Sequence, residues 1–176
     1  MNREFVVWFT GLPASGKSTL ARRLERVLQE RKLRVEVLDG EALRSTLSRD
    51  LGFTREDRDE HIRRIGFMSK LLSRNGIVAI VAAISPYRAA RREVRRDVVD
   101  FVEVYVRCPV KILEARDPKG LYDRAVKGEL CRFTGISDPY EEPLNPELIL
   151  ETDRQSEDQS LALIVARLTE LSYLKK

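Results

Sequence analysis

Five apolar stretches, rich in β-branched and aromatic residues, interrupt an otherwise charged chain. They cover residues 4–10 (EFVVWFT), 34–38 (RVEVL), 76–84 (GIVAIVAAI), 101–107 (FVEVYVR) and 147–152 (ELILET). Runs of this length and composition predict strands. The third is almost continuously apolar, as expected of a strand covered on both faces. Between them the spacing changes to the helical period. Leu20, Ala21, Leu24, Val27 and Leu28 mark a helix over 17–32. Ile62, Ile65, Met68, Leu71 and Leu72 mark one over 55–74, and Leu161, Ile164, Val165, Leu168 and Leu171 one over 158–174. A short helix is predicted near 41–48, and another after the third strand. Strands alternating with helices predict an α/β fold: a three-layer sandwich with a mostly parallel five-stranded sheet and helices on both faces. The expected organisation is one domain over 1–176. In such sheets ligands collect beyond the carboxyl ends of the strands.

Composition narrows this picture. Hydrophobic residues make up 43% of the 176, enough for a globular core, while 34% are charged, above the usual share of about 25%. The 32 basic and 28 acidic residues leave a net charge of +4 without a long block of one sign. That pattern does not point to nucleic acid. It suits polyanionic small molecules and an ordinary solvated surface equally. Cys108 and Cys131 lack zinc-type spacing, no signal-like segment precedes them, and the first apolar run is too short to span a membrane. Free thiols in the cytoplasm are the expectation.

The sharpest chemical signal follows the first strand. Residues 11–19 read GLPASGKST, a match to G-x-x-x-x-G-K-[ST] opening a helix. The glycines let the backbone turn its N–H groups onto an anion, and the helix N-terminus adds a positive dipole end. Lys17 is expected to reach the β- and γ-phosphates of a nucleotide, and the Ser18 hydroxyl to ligate Mg²⁺.

Other candidates sit at the remaining carboxyl ends. Asp39, after the second strand, suits a proton acceptor or a group on the Mg²⁺ site, and equally a helix N-cap. Arg44 is placed one turn on, where it could bind an acceptor anion. Thr54 and Asp57 have capping-box spacing. Arg58 and His61 share a helix face. Ser85 precedes a proline at an expected first helical position, so it reads as an N-cap or as a chemical group. Arg88, Arg91, Arg92, Arg95 and Arg96 read as a solvated helix face. Residues 116–140, RDPKGLYDRAVKGELCRFTGISDPY, form a connection far longer than the typical 4–6 residues, too irregular for a core helix or strand.

Taken in order, GLPASGKST, LDGEALR, LGFTREDRDEHIRR, ISPYR, RDPKGLY and RFTGISDPYEEP resemble the motifs of the adenylylsulfate kinase family. The last two are specific rather than general kinase features. The resemblance spans nearly the whole chain and implies a P-loop kinase that phosphorylates the 3′-hydroxyl of adenosine 5′-phosphosulfate with ATP and Mg²⁺. It implies that Gly11 and Ala14, Ser15, Gly16, Lys17, Ser18 and Thr19 hold the ATP phosphates. Asp39 becomes a base and, with Ser18, part of the Mg²⁺ site. Arg44, Phe53, Arg58, His61, Ile84, Ser85, Lys119, Phe133 and Thr134 match positions that bind the adenylylsulfate, and Ser85 matches a serine described as a phosphorylated intermediate. Residues 116–140 become a lid and acceptor clamp. Arg116, Lys119 and Arg132 supply lid cations, and Phe133 an aromatic face for adenine. The resemblance also implies a homodimer. Some relatives are fused to an ATP sulfurylase, for which 176 residues leave no room.

Three positions depart from the family pattern: Glu41 replaces an aspartate, His61 an asparagine that can now titrate, and Ala83 a phenylalanine. Two alternatives remain. Another small-molecule kinase of the nucleoside, gluconate or shikimate type is disfavoured by LGFTREDR and FTGISDPYE. A nucleotide-binding switch without transfer activity is disfavoured, for a GTPase, by the lack of an [NT]-K-x-D motif.

Overall fold

The computed structural model describes residues 4–175. Among these, five strands alternate with seven helices: β1 (Val6–Thr10), α1 (Lys17–Glu30), β2 (Val35–Asp39), α2 (Gly40–Arg44), α3 (Arg55–Ser73), β3 (Val78–Ala82), α4 (Arg88–Asp97), β4 (Phe101–Arg107), α5 (Val110–Arg116), α6 (Leu121–Val126), β5 (Leu148–Glu151) and α7 (Glu157–Glu170). The strands form one sheet in the order β2-β3-β1-β4-β5, and every neighbouring pair is parallel. All five carboxyl ends therefore open on one edge.

Alternation along β1 builds two cores. Val7 and Phe9 face Leu20, Leu24 and Leu28 of α1 and Ile164 and Leu168 of α7. Val6 and Trp8 face Ile62 and Ile65 of α3 and Ala90 and Val94 of α4. The central strand is wholly buried, which explains its unbroken apolar run. Capping boxes start the two helices whose sequences carry them, Thr54 with Asp57 before α3 and Ser156 with Gln159 before α7. Helices α3 and α4 meet at Gly66, where an added Cβ would lie 2.5 Å from Val94 Cγ2.

The structure corrects several expectations. The connection between β4 and β5 is not irregular throughout. α5 follows Pro109, and α6 lies within residues 116–140. The six-residue α6 is too short to show a period. It is started by Asp117, whose carboxylate accepts from the amides of Leu121, Tyr122 and Asp123 at 2.8–3.1 Å. Ser85 does not cap α4. That helix begins at Arg88, and its first amide is met at 2.8 Å by Glu141 Oε2 from the far end of the connection. α7 ends at Glu170 rather than 174. Among the described residues no helix is long and apolar enough to cross a membrane.

Candidate active site

The loop between β1 and α1 is shaped by positions that need glycine. Gly16 has φ 101°, and a Cβ on Gly11 would lie 2.4 Å from Val106 O on the neighbouring strand. Lys17 is buried, donating to Leu12 O at 2.6 Å and to Ser15 Oγ at 3.4 Å. Burial pushes its pKa down to about 7, against the opposing pull of Asp39 and Glu41. Behind the loop, Thr152 Oγ1 donates to Ser15 O at 3.0 Å, and Arg116 donates to Thr152 O and Oγ1. Tyr122 of α6 donates to Pro13 O at 2.9 Å. Ser18 and Thr19 are exposed at the mouth of the loop, beside the partly buried Ala14.

Asp39 caps a helix and faces the anion loop at once. Its Oδ1 accepts from the amides of Glu41 and Ala42 at 3.0 and 3.2 Å, capping α2, while Oδ2 accepts from Ser18 Oγ at 2.6 Å. The first turn of α1 and the end of β2 are thus joined by a hydroxyl and a carboxylate beside the anion loop. Among the described residues no group of three or more His, Cys, Asp or Glu could hold a metal by itself. One hydroxyl and one carboxylate suit Mg²⁺, which keeps several waters and takes phosphate oxygens as ligands. Lys119 reaches across from the 116–140 segment to Glu41 Oε1, and both side chains are exposed.

The second cluster lies on the β2–β3 side. Phe53, 54% exposed, lies under two guanidinium groups, Arg44 at 4.8 Å and Arg58 at 5.5 Å from its ring centre. Arg44 donates to Gly52 O at 2.7 Å. Arg58 is buried and donates to Phe53 O at 3.1 Å and to Arg132 O, with Asp138 Oδ2 at 3.4 Å. Phe133 packs edge-on against Tyr122, ring centres 5.0 Å apart. Thr134 is 2% exposed, and its Oγ1 has no hydrogen-bond partner among the described residues. A buried hydroxyl left this way is uncommon.

His61 sits beneath this cluster. Its Nε2 meets Gly40 O at 3.0 Å, and Nδ1 meets Ser48 Oγ at 2.8 Å. A carbonyl only accepts, so Nε2 carries the proton and Nδ1 accepts from the hydroxyl. Burial, with Arg44 nearby, pushes its pKa down to about 4. His61 is therefore a neutral brace near pH 7, not the titrating group the substitution suggests.

Ser85 is 1% exposed, with its Oγ accepting from Trp8 Nε1 at 3.0 Å. Ile84, next to it, is half-buried, and its carbonyl accepts from Thr10 Oγ1 at 2.7 Å. Thr10 also bonds Tyr140 OH at 2.8 Å. Lys17, Ser18, Asp39, Glu41 and Lys119 thus lie close together, and Arg44, Phe53 and Arg58 form a second group. Arg116 stands apart from both, on the β5 side.

The basic run is not the solvated face expected of it. Arg91 is 3% exposed and paired with Glu103 at 2.9 Å, while Arg95 pairs with Glu103 and Glu147. Arg88 donates to Glu142 O at 2.6 Å. Only Arg92 and Arg96 of the run are exposed. Sequence reasoning also passed over Thr10 and Tyr140. A hydroxyl closing an all-apolar strand, and an aromatic ending the PY pair, were the available signals.

The sequence model of the Adenylylsulphate kinase family matches residues 3–151. An adenylyl-sulfate kinase of Picosynechococcus is 50% identical over 173 residues, covering 98% of each chain. A probable bifunctional SAT/APS kinase of Sorangium cellulosum is 52% identical over 98% of this chain, which spans 30% of that longer protein. The Mycobacterium tuberculosis APS kinase CysC, solved in complex with AMPPNP and APS, superposes with a TM-score of 0.91 at 43% identity, covering 96% of this chain and 99% of that one. With one family matched across most of its length and a relative half identical over nearly all of it, the chain belongs to the adenylylsulfate kinase family.

Proposed function

We propose that this protein is an ATP-dependent kinase that phosphorylates the 3′-hydroxyl of adenosine 5′-phosphosulfate, giving 3′-phosphoadenylylsulfate and ADP. The observation that carries the reading is the juxtaposition at one sheet edge. An anion loop stands on β1, the Ser18–Asp39 pair bridges to β2, and the Phe53, Arg44 and Arg58 group lies beyond it under the segment that bears Phe133 and Thr134. Family membership over the whole site supports it.

In this reading the loop amides and Lys17 hold the triphosphate. Ser18 and Asp39 would hold Mg²⁺, which would supply neutralisation of the triphosphate's negative charge. The acceptor adenylate occupies the Phe53, Arg44 and Arg58 side. Phe133 covers its base, and the unsatisfied Thr134 hydroxyl gains a partner there. The 3′-oxygen forms a bond to the γ-phosphorus as the bond to the ADP oxygen breaks, and Asp39 Oδ2 receives the hydroxyl proton. The protein contributes placement and electrostatics more than covalent chemistry. The 116–140 segment excludes water, which would otherwise take the phosphoryl group. Lys119 leaves Glu41 to meet the acceptor's acidic groups, and Arg116 braces the nucleotide side through Thr152. Ser85 serves as a wall of the acceptor site.

We infer a homodimer working in the cytoplasm, where ATP is available and two unpaired cysteines are stable. Light scattering giving twice the 20.3 kDa chain mass checks the assembly. The reaction is tested by incubating the protein with Mg·ATP and adenylylsulfate and separating products by chromatography. The expected result is a 3′-phosphorylated sulfonucleotide together with equimolar ADP. Turnover of gluconate, shikimate or a nucleoside in its place would refute the assignment.

A further inference from the structure

Arg91 is buried and spends each of its three guanidinium nitrogens on a different part of the chain. Nε donates to Glu103 Oε1 on β4 at 2.9 Å. Nη1 donates to Ser85 O, just beyond β3. Nη2 donates to Glu141 O at 2.6 Å, where the lid segment rejoins the body. A buried guanidinium is costly unless its planar fork is satisfied. Here the fork is satisfied by three segments at once, so its position fixes them relative to one another. Its base is firm: Glu103 also pairs with Arg95, and its amide donates to Glu147 Oε2 at 2.6 Å.

What the other two arms hold is informative. Ser85 has φ 43°, in the left-handed region that a serine seldom adopts. The lid root is tied to the same turn: Glu141 N donates to Pro86 O at 2.8 Å, and Tyr140 OH bonds at 2.8 Å to Thr10 of β1, whose Oγ1 donates to Ile84 O at 2.7 Å. The Arg91 guanidinium lies 5.8 Å from the Tyr140 ring centre. One wall of the acceptor site, Ile84 and Ser85, belongs to this turn. The other, Phe133 and Thr134, hangs from this root. The ATP side is held by other side chains, Thr152 and Arg116, and by Tyr122, whose ring also packs on Phe133.

We propose that Arg91 is a positioning residue for the acceptor: it sets the spacing between the Ile84–Ser85 turn and the lid, and so the width of the acceptor site, without touching substrate. The inference rests on the kinase reading above. Arg91→Lys keeps the charge and loses the fork. The pair R91M/E103Q removes both buried charges together. Each is assayed with ATP and adenylylsulfate varied separately, and amide exchange is followed in the ligand-free protein. The expected result is an adenylylsulfate KM raised about tenfold or more, with the ATP KM within about twofold. Exchange at the Glu141 amide should quicken while α1 stays protected. An unchanged acceptor KM in either folded variant overturns the proposal. So does a fall in kcat with both KM values unmoved, which marks a smaller folded fraction and nothing more. If the wild-type protein makes no 3′-phosphorylated product, the kinase reading fails, and the exchange arm still judges Arg91: unaltered Glu141 protection in Arg91→Lys sinks the link.

Discussion

Lys17 and His61 are both bases whose burial holds their pKa below the ordinary value, to about 7 and about 4. For Lys17 the unfolded chain binds a proton below about pH 10.4 that the folded, unliganded protein refuses until about pH 7. Its contribution to stability therefore rises with pH across that window. A triphosphate reverses the balance by favouring the ammonium. ATP binding at pH 8 should take up close to one proton, and binding at pH 6 almost none, because Lys17 is already charged there. Calorimetry in buffers of different ionisation enthalpy reads this directly, and Lys17→Met should abolish the uptake. For His61 the window lies lower. As pH falls from about 6.5 to about 4 the unfolded chain gains a proton that the folded state does not accept, costing on the order of 3 kcal/mol when complete. His61→Asn should flatten the acid limb of a stability–pH curve while leaving pH 8 little changed. An acid limb identical in the two proteins would mean that His61 is not held neutral.

At the scale of elements, a single side chain starts α6. Asp117 meets three of its first amides, near the start of the 116–140 segment. Asp117→Ala should raise exchange at Leu121–Asp123 and lift the KM for adenylylsulfate severalfold, since Lys119 lies inside the same turn. Wild-type exchange at those amides would show another cap at work. This element was invisible in the sequence because six residues hold too little period to read, and because the charges of RDPKGLYDR look like loop. The long helices were legible for the opposite reason: α1 and α3 repeat their apolar stripe over three turns or more. The Thr54 and Ser156 caps were local, and Thr54 was legible. The Glu141 cap of α4 was not, since donor and acceptor are 53 positions apart.

For the whole molecule, alternation alone was enough to predict a parallel sheet, whereas the strand order required the structure. The same split runs through the site. The anion loop is contiguous, so its spacing spells its chemistry. The Arg91 network joins residues 6, 12 and 50 positions apart, and pairing over such distances leaves no trace in a run of arginines. A ligand held only by the folded loop stabilises the entire domain by mass action. ATP at a hundred times its Kd should add about 2.7 kcal/mol, seen as a raised Tm that Lys17→Met loses.

The contact between Gly66 and Val94 has a consequence for how the acceptor half could be adjusted. Helix propensity alone favours Gly66→Ala by up to about 1 kcal/mol, but a methyl 2.5 Å from a stiff valine has nowhere to go and costs about 1–3 kcal/mol. The two helices would have to part. One bears Arg58 two turns earlier, about 12 Å along its axis; the other bears Arg91 a turn before the valine. A Tm lowered by Gly66→Ala, restored when Val94 is trimmed to alanine, and accompanied by looser adenylylsulfate binding at constant ATP affinity, would make this tight crossing a remote handle on selectivity between the two nucleotides.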